Sequence, residues 1–164
     1  MDICLEQRAM KKNIKPYPKL EEEDNLLVVN DGNLQLNFGS NSLSLVRFIK
    51  KGMPYGLFEK IKTHLPFDDD MWAAFLNIST KSMQRYKTNK THTFKPIHTE
   101  KILEIAEVND LGIKVFGGSI PFNNWLNEPC FALGNLKPIE LLYDSYGKQM
   151  LVDELNRIEY GIFS

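Results

Sequence analysis

Apolar and polar positions follow two rhythms along this chain. Between Leu26 and Phe38 the period is two. Leu26-Leu27-Val28-Val29 is followed by Asn30-Asp31-Gly32-Asn33, and then Leu34, Leu36 and Phe38 alternate with polar residues. Asp-Gly between apolar runs signals a hairpin, so a small N-terminal β-hairpin is expected. Such a pair is marginal alone and needs helices, or a second copy of the chain, to pack on. From Ser42 the period becomes helical. Leu43, Val46, Phe48 and Ile49 give one apolar face, ended by Gly52. Pro54 opens the next helix, through Leu57, Phe58, Ile61 and Leu65, and Pro66 stops it. A long helix capped by Thr99 carries Ile102, Leu103, Ile105, Ala106 and Ile113 inside and ends before Gly117-Gly118. Ser119 caps a short helix with Phe122 and Trp125. Pro138 begins another, with Ile139, Leu141 and Leu142. The last helix starts near Ser145, presents Leu151, Leu155 and Ile158, and is broken by Gly161. The fold class is therefore mainly all-α.

The stretch from Asp69 to Lys87 reads as two short helices joined by a tight turn. Acidic residues at its start suit the positive end of a helix dipole. Ala73 is small where a second helix crosses closely. Asn77, between Leu76 and Ile78, tolerates the left-handed backbone that the turn needs. Ser79 or Thr80 can cap the following helix. In that helix Met83 and Tyr86 face inward, and Thr80, Lys81, Gln84, Arg85 and Lys87 face out. This is the pattern of a helix-turn-helix. Arg and Lys suit guanine edges or phosphates, and Gln suits adenine. The same residues also suit a plain helical hairpin with a solvated basic face.

Charge sharpens the choice. The chain of 164 residues has a formal net charge of −1, so it is no general polyanion binder. From Lys81 to Lys101, however, six basic residues (Lys81, Arg85, Lys87, Lys90, Lys95, Lys101) face one acid (Glu100), a local charge of +5. Phosphate contacts supply most nucleic-acid affinity, so a basic patch beside a candidate recognition helix favours DNA. Hydrophobic residues at 43% and charged residues at 25% are ordinary globular composition. Cys4 and Cys130 form no disulfide framework, which fits a reducing cytoplasm. No apolar run reaches membrane-spanning length, and Met1 to Glu6 is too polar for a signal peptide. His64, His92 and His98 lack metal-ligand spacing with the cysteines or acids. There is no glycine-rich phosphate loop and no nucleophile elbow, so neither an enzyme nor a cofactor is expected. Trp72 and Trp125 are expected in the core.

The order of these pieces resembles a known family, the Xre-type antitoxins of RES–Xre toxin–antitoxin modules, which share the toxin-binding domain named for Xre, MbcA and ParS. The likeness rests on Lys51-Gly52-Met53-Pro54, on Leu76 to Tyr86, on Ile113-Lys114-Val115-Phe116-Gly117 and on Trp125-Leu126-Asn127-Glu128-Pro129. Its more specific parts are Ala132-Leu133-Gly134 followed by Pro138-Ile139-Glu140-Leu141-Leu142, and the closing run Arg157 to Ser164. The resemblance implies a helical, dimeric, cytoplasmic protein with an Xre-like helix-turn-helix that binds its own promoter. It also implies a C-terminal domain whose end plugs the active site of a RES-domain toxin that consumes NAD+. Carried over by position, Ser79, Thr80, Lys81, Gln84, Arg85 and Lys87 are the DNA-facing set. Arg157, Glu159, Tyr160, Gly161, Ile162, Phe163 and Ser164 are the toxin-plugging set. Asn77 stands where many members have glycine, and the hairpin is foreign to the helical family core.

The expected organisation is a mobile lead-in over 1–24, in which Met10 is an alternative start. A dimerisation segment covers 25–52, a helix-turn-helix region 53–97 and a helical toxin-binding domain 98–164. Ile162 and Phe163 admit two readings: they fold back on the domain's own core, or they fill a partner's pocket. The rival functions are a stand-alone helix-turn-helix repressor and a protein-interaction adaptor without a toxin partner.

Overall fold

The computed structural model describes residues 27–30, 33–36 and 42–161, with backbone alone for the first two segments and Ser42. Two short strands, β1 (Leu27–Asn30) and β2 (Asn33–Leu36), pair antiparallel with Leu27 opposite Leu36. Leu26, Asp31-Gly32 and Phe38 lie outside the described residues, as does the expected lead-in over 1–24. The helices are α1 (Ser42–Lys51), α2 (Tyr55–Thr63), α3 (Asp69–Phe75), α4 (Thr80–Thr88), α5 (Pro96–Phe116), α6 (Ser119–Asn127) and α7 (Ser145–Glu159). Two 3-10 turns, Phe131–Leu133 and Pro138–Tyr143, connect α6 to α7. The chain is mostly helical, as its periodicity requires. Among the described residues no helix is long and apolar enough to cross a membrane.

One apolar cluster runs through the helices. Trp72 of α3 is fully buried and meets Phe58 of α2 edge-on, with ring centroids 5.0 Å apart. Phe94, just before α5, contacts Phe58 at 4.9 Å, and Phe67 and Phe75 flank the indole. Edge-to-face pairs of this kind add about 0.5–1.5 kcal/mol beyond the area that they bury. Ile102 and Ile105 of α5, Phe122 and Leu126 of α6, and Leu151 and Leu155 of α7 extend the same core. α7 runs alongside α5 in the same direction: Lys148 pairs with Glu107 at 3.1 Å, and Glu159 pairs with Lys114 at 2.8 Å. Gly147 lets α7 start close to the second 3-10 turn, since a Cβ there would lie 2.2 Å from the Leu141 carbonyl oxygen.

Three expectations need correction. Thr99 does not cap α5. The helix starts earlier, because Pro96 supplies the fixed φ and missing N–H that suit its first turn. Thr99 is instead buried, accepting from the Met53 N–H at 2.9 Å and donating to the Lys95 carbonyl at 3.1 Å. Gly118, not Ser119, holds the cap position of α6, and Ser119 is the first helical residue. Leu43 and Val46 of α1 are 54% and 45% exposed, whereas Phe48 is buried. The helix is packed most deeply near its C-terminal end, so its N-terminal apolar positions stay at the surface.

The strap between α1 and α2 ties the two halves of the chain. Gly52 sits at φ +90°, and a Cβ there would lie 2.3 Å from the Phe94 carbonyl oxygen. Phe94 N–H donates to the Met53 carbonyl and Tyr55 N–H to the His92 carbonyl, both at 2.8 Å. Gly52→Ala should cost about 1–3 kcal/mol from backbone strain alone, and more from the clash. Gly56→Ala, at a position with nothing within 4 Å of the new methyl, should leave stability equal or higher, since alanine is the better helix former. Thermal melts of the two variants test this; equal melting temperatures would show that the strap does not hold the fold.

Candidate functional site

The helix-turn-helix is built by local capping. Asp68 accepts from the Met71 N–H at 2.8 Å and starts α3. The helix ends in a Schellman arrangement: Ile78 N–H reaches the Ala73 carbonyl at 2.9 Å, and Asn77 N–H reaches Ala74 at 3.0 Å. Asn77 adopts φ 51°, the left-handed conformation expected of it. Ser79 accepts from the Ser82 N–H at 3.1 Å and starts α4, so Ser79 rather than Thr80 is the cap. Met83 is buried and Tyr86 half-buried. The Tyr86 ring stacks on His92 with centroids 3.4 Å apart, and Phe94 meets both rings edge-on. Burial, then the neighbouring His98 and Arg85, lowers the His92 pKa; burial, then Lys95, lowers that of His98.

The six candidate DNA-facing residues share α4 but not one role. Ser79 spends its hydroxyl on the cap. Thr80 and Lys81 are exposed, and Lys81 has no ion-pair partner among the described residues. Arg85 is exposed, with its guanidinium carbon 5.4 Å from the Tyr86 ring centre. Gln84 and Lys87 turn back toward α3, where Asp69 receives Lys87 Nζ at 3.0 Å and Gln84 Nε2 at 3.5 Å. Lys62 of α2 pairs with the other oxygen of Asp69. The rest of the basic stretch is similarly engaged in part, Lys90 with Glu59 at 3.8 Å and Lys101 with Glu104 at 3.5 Å.

At the other end, Arg157 and Glu159 lie on α7 itself. Arg157 pairs with Glu154 at 3.3 Å and Glu159 with Lys114 at 2.8 Å. That hydrogen bond and charge raise the Lys114 pKa. Tyr160 is 75% exposed, and Gly161, at φ 67°, turns the chain out of the helix. Ile162, Phe163 and Ser164 lie outside the described residues. In the same half, burial pushes the Asp110 carboxyl up to about 6, against a hydrogen bond from Asn109.

Two features escaped the sequence reading. Asp69 looked like a helix-dipole residue only; its partners lie 15 and 18 residues further on, so no local signal points to them. Phe131 is 82% exposed on a turn closed by Cys130 and Leu136, whose N–H···O bond is 3.0 Å. The spacing Pro129 to Gly134 marked the turn but not the outward ring. Among the described residues no group of three His, Cys, Asp or Glu side chains is placed to hold a metal ion.

Comparison with known proteins converges on one family. Residues 111–161 match the family described as the antitoxin Xre/MbcA/ParS C-terminal toxin-binding domain. A Yersinia enterocolitica protein named Antitoxin Xre is 27% identical over 126 residues, covering 76% of this chain and 84% of the relative. A chain from the crystal structure of the M. tuberculosis MbcT–MbcA toxin–antitoxin complex shares the fold, with a TM-score of 0.52 over 67% of this chain and 96% of that one at 18% identity. The matched span takes in the end of α5, α6, both 3-10 turns and α7, so this part of the chain is similar to the toxin-binding domain of the Xre/MbcA/ParS antitoxins.

Proposed function

We propose that this chain is a non-enzymatic, cytoplasmic antitoxin that neutralises a RES-domain, NAD+-degrading toxin by inserting its C-terminal tail into the toxin active site. The observation that carries the reading is the end of α7. Inside the matched toxin-binding domain the helix stops at an exposed Tyr160, and Gly161 follows it in the left-handed conformation, φ 67°. Burying a Phe side chain in a pocket is worth about 1.5–3 kcal/mol, and Ile162 adds a similar amount. Glu159 is negative, as are the phosphates of NAD+, so a site built for that dinucleotide offers it cationic partners. Glu159 exchanges Lys114 for those partners when the tail docks. Inhibition is then occupation of the cofactor site and needs no chemistry from the antitoxin. Arg157, Glu159, Tyr160, Gly161, Ile162, Phe163 and Ser164 form the plug.

The same chain represses its own operon through α3 and α4, with Ser79, Thr80, Lys81, Gln84, Arg85 and Lys87 toward the operator. It acts as a homodimer in which the segment over 25–52 supplies the contact between copies, the region over 53–97 binds DNA and the domain over 98–164 binds the toxin. The exposure of Leu43 and Val46 on α1 supports the dimer. The rival reading is an adaptor whose helix-turn-helix has lost DNA binding. It draws support from Asp68, Asp69 and Asp70, three consecutive acids at the start of α3.

Deleting Tyr160 to Ser164 should restore NAD+ consumption by the toxin in a turnover assay while the remaining chain stays folded and still binds DNA. Undiminished inhibition by the deleted chain would return the tail to its own core. Lys81→Ala combined with Arg85→Ala should weaken promoter binding by about tenfold or more at moderate salt and flatten its salt dependence by about two contacts, with toxin neutralisation intact. Promoter binding equal to the parent's would remove α4 from the DNA. Light scattering of a chain starting at residue 51 should give a monomer; a dimer would move the interface elsewhere.

A further inference from the structure

We propose that Asp69 is an internal competitor for the recognition helix: its carboxylate holds Lys87 and Gln84 against α3, and so withholds a cation and an amide from DNA until a phosphate displaces it. The inference rests on the reading of α4 as a DNA-binding helix.

The geometry sets one fixed and one mobile partner. The Asp69 side chain is 20% exposed and is anchored by Lys62, itself 20% exposed, from α2. Lys87 reaches the same carboxylate from α4 with its side chain 52% exposed. The mobile end of the pair therefore belongs to the recognition helix. When Lys87 leaves, Lys62 still neutralises Asp69, so release strands no half-buried charge. Exposed ion pairs of this kind are weak, and a phosphate can replace the carboxylate as the lysine's partner. Burial, and then the charge of Lys87, lowers the Lys62 pKa, while Asp68 and Glu59 act in the opposite sense. Lys81 and Arg85, without ion-pair partners among the described residues, make the permanent contacts. Lys87 and Gln84 join only on a surface that outcompetes Asp69. The contact thereby lowers affinity for weakly bound DNA.

The test uses the full chain, its own upstream duplex and a shuffled duplex, read by fluorescence anisotropy across salt. Asp69→Asn should steepen the slope of log K against log salt by about one on the weakly bound shuffled duplex, where Lys87 of the parent stays with Asp69. Over a tenfold drop in salt the variant then gains about eightfold more affinity than the parent does. Adding Lys87→Gln to that variant should return the parent slope. Asp70→Asn removes the same charge from an exposed neighbour without releasing Lys87, and should keep the parent slope. A parent-like or shallower slope for Asp69→Asn on the shuffled duplex overturns the proposal, as does an equal gain from Asp70→Asn. Should Asp69→Asn not fold, NMR of the lysine ammonium groups in the parent decides. The Lys87 signal should show a carboxylate partner in the free chain and shift on adding DNA, and an unpaired Lys87 in the free chain overturns the idea. A parent that shows no salt-dependent binding to either duplex defeats the DNA reading itself, separately from the role of Asp69.

Discussion

The close approach of the Gly52–Tyr55 strap to the His92–Phe94 loop is the constraint on which the rest of the molecule depends. Two backbones meet there at a distance that leaves no room for a Cβ. Met53 points into the core with none of its surface exposed. Its N–H would be orphaned in that position, and leaving a buried donor unpaired costs about 1–3 kcal/mol. Thr99, from the first turns of α5, supplies the missing acceptor. A residue expected as a helix cap thus serves as a buried clamp between elements 46 residues apart. The clamp ties the strap before α2 to the first turns of α5.

α5 is the shared beam. Its 21 residues span about 32 Å. Near its start, the clamp and the aromatic group around Phe94 carry the helix-turn-helix. Toward its end, the family-matched domain begins, and Lys114 holds the last turn of α7. The helix-turn-helix and the family-matched domain are therefore referred to one continuous helix. They also spend charge in the same way. On α4 an acid from another helix engages Lys87. On α7, Lys114 of α5 engages Glu159. In both places a charged residue is already held by an opposite charge from a neighbouring helix.

The sequence by itself determined the local events. The period of its apolar positions set the helices, because burying one face requires that spacing. The residues Asn77, Ser79, Gly117 and Gly161 set where several of them stop and start, because caps and left-handed turns are chosen by one or two neighbouring residues. The helix-turn-helix was readable for that reason, as was the burial of Trp72. The motifs Ala132 to Gly134 and Pro138 to Leu142 were readable as family marks, although not as the two 3-10 turns that they form. Tertiary structure decided which polar residues are available. The +5 count between Lys81 and Lys101 treats six cations alike. The fold divides them, because Asp69 and Glu59 come to lie beside Lys87 and Lys90, while Lys101 meets Glu104 three residues on in its own helix. It likewise moved Thr99 from a helix end to the core and left Leu43 and Val46 of α1 at the surface. Charge pairing between helices depends on how they cross, and helix crossing follows from side-chain packing that no local pattern encodes.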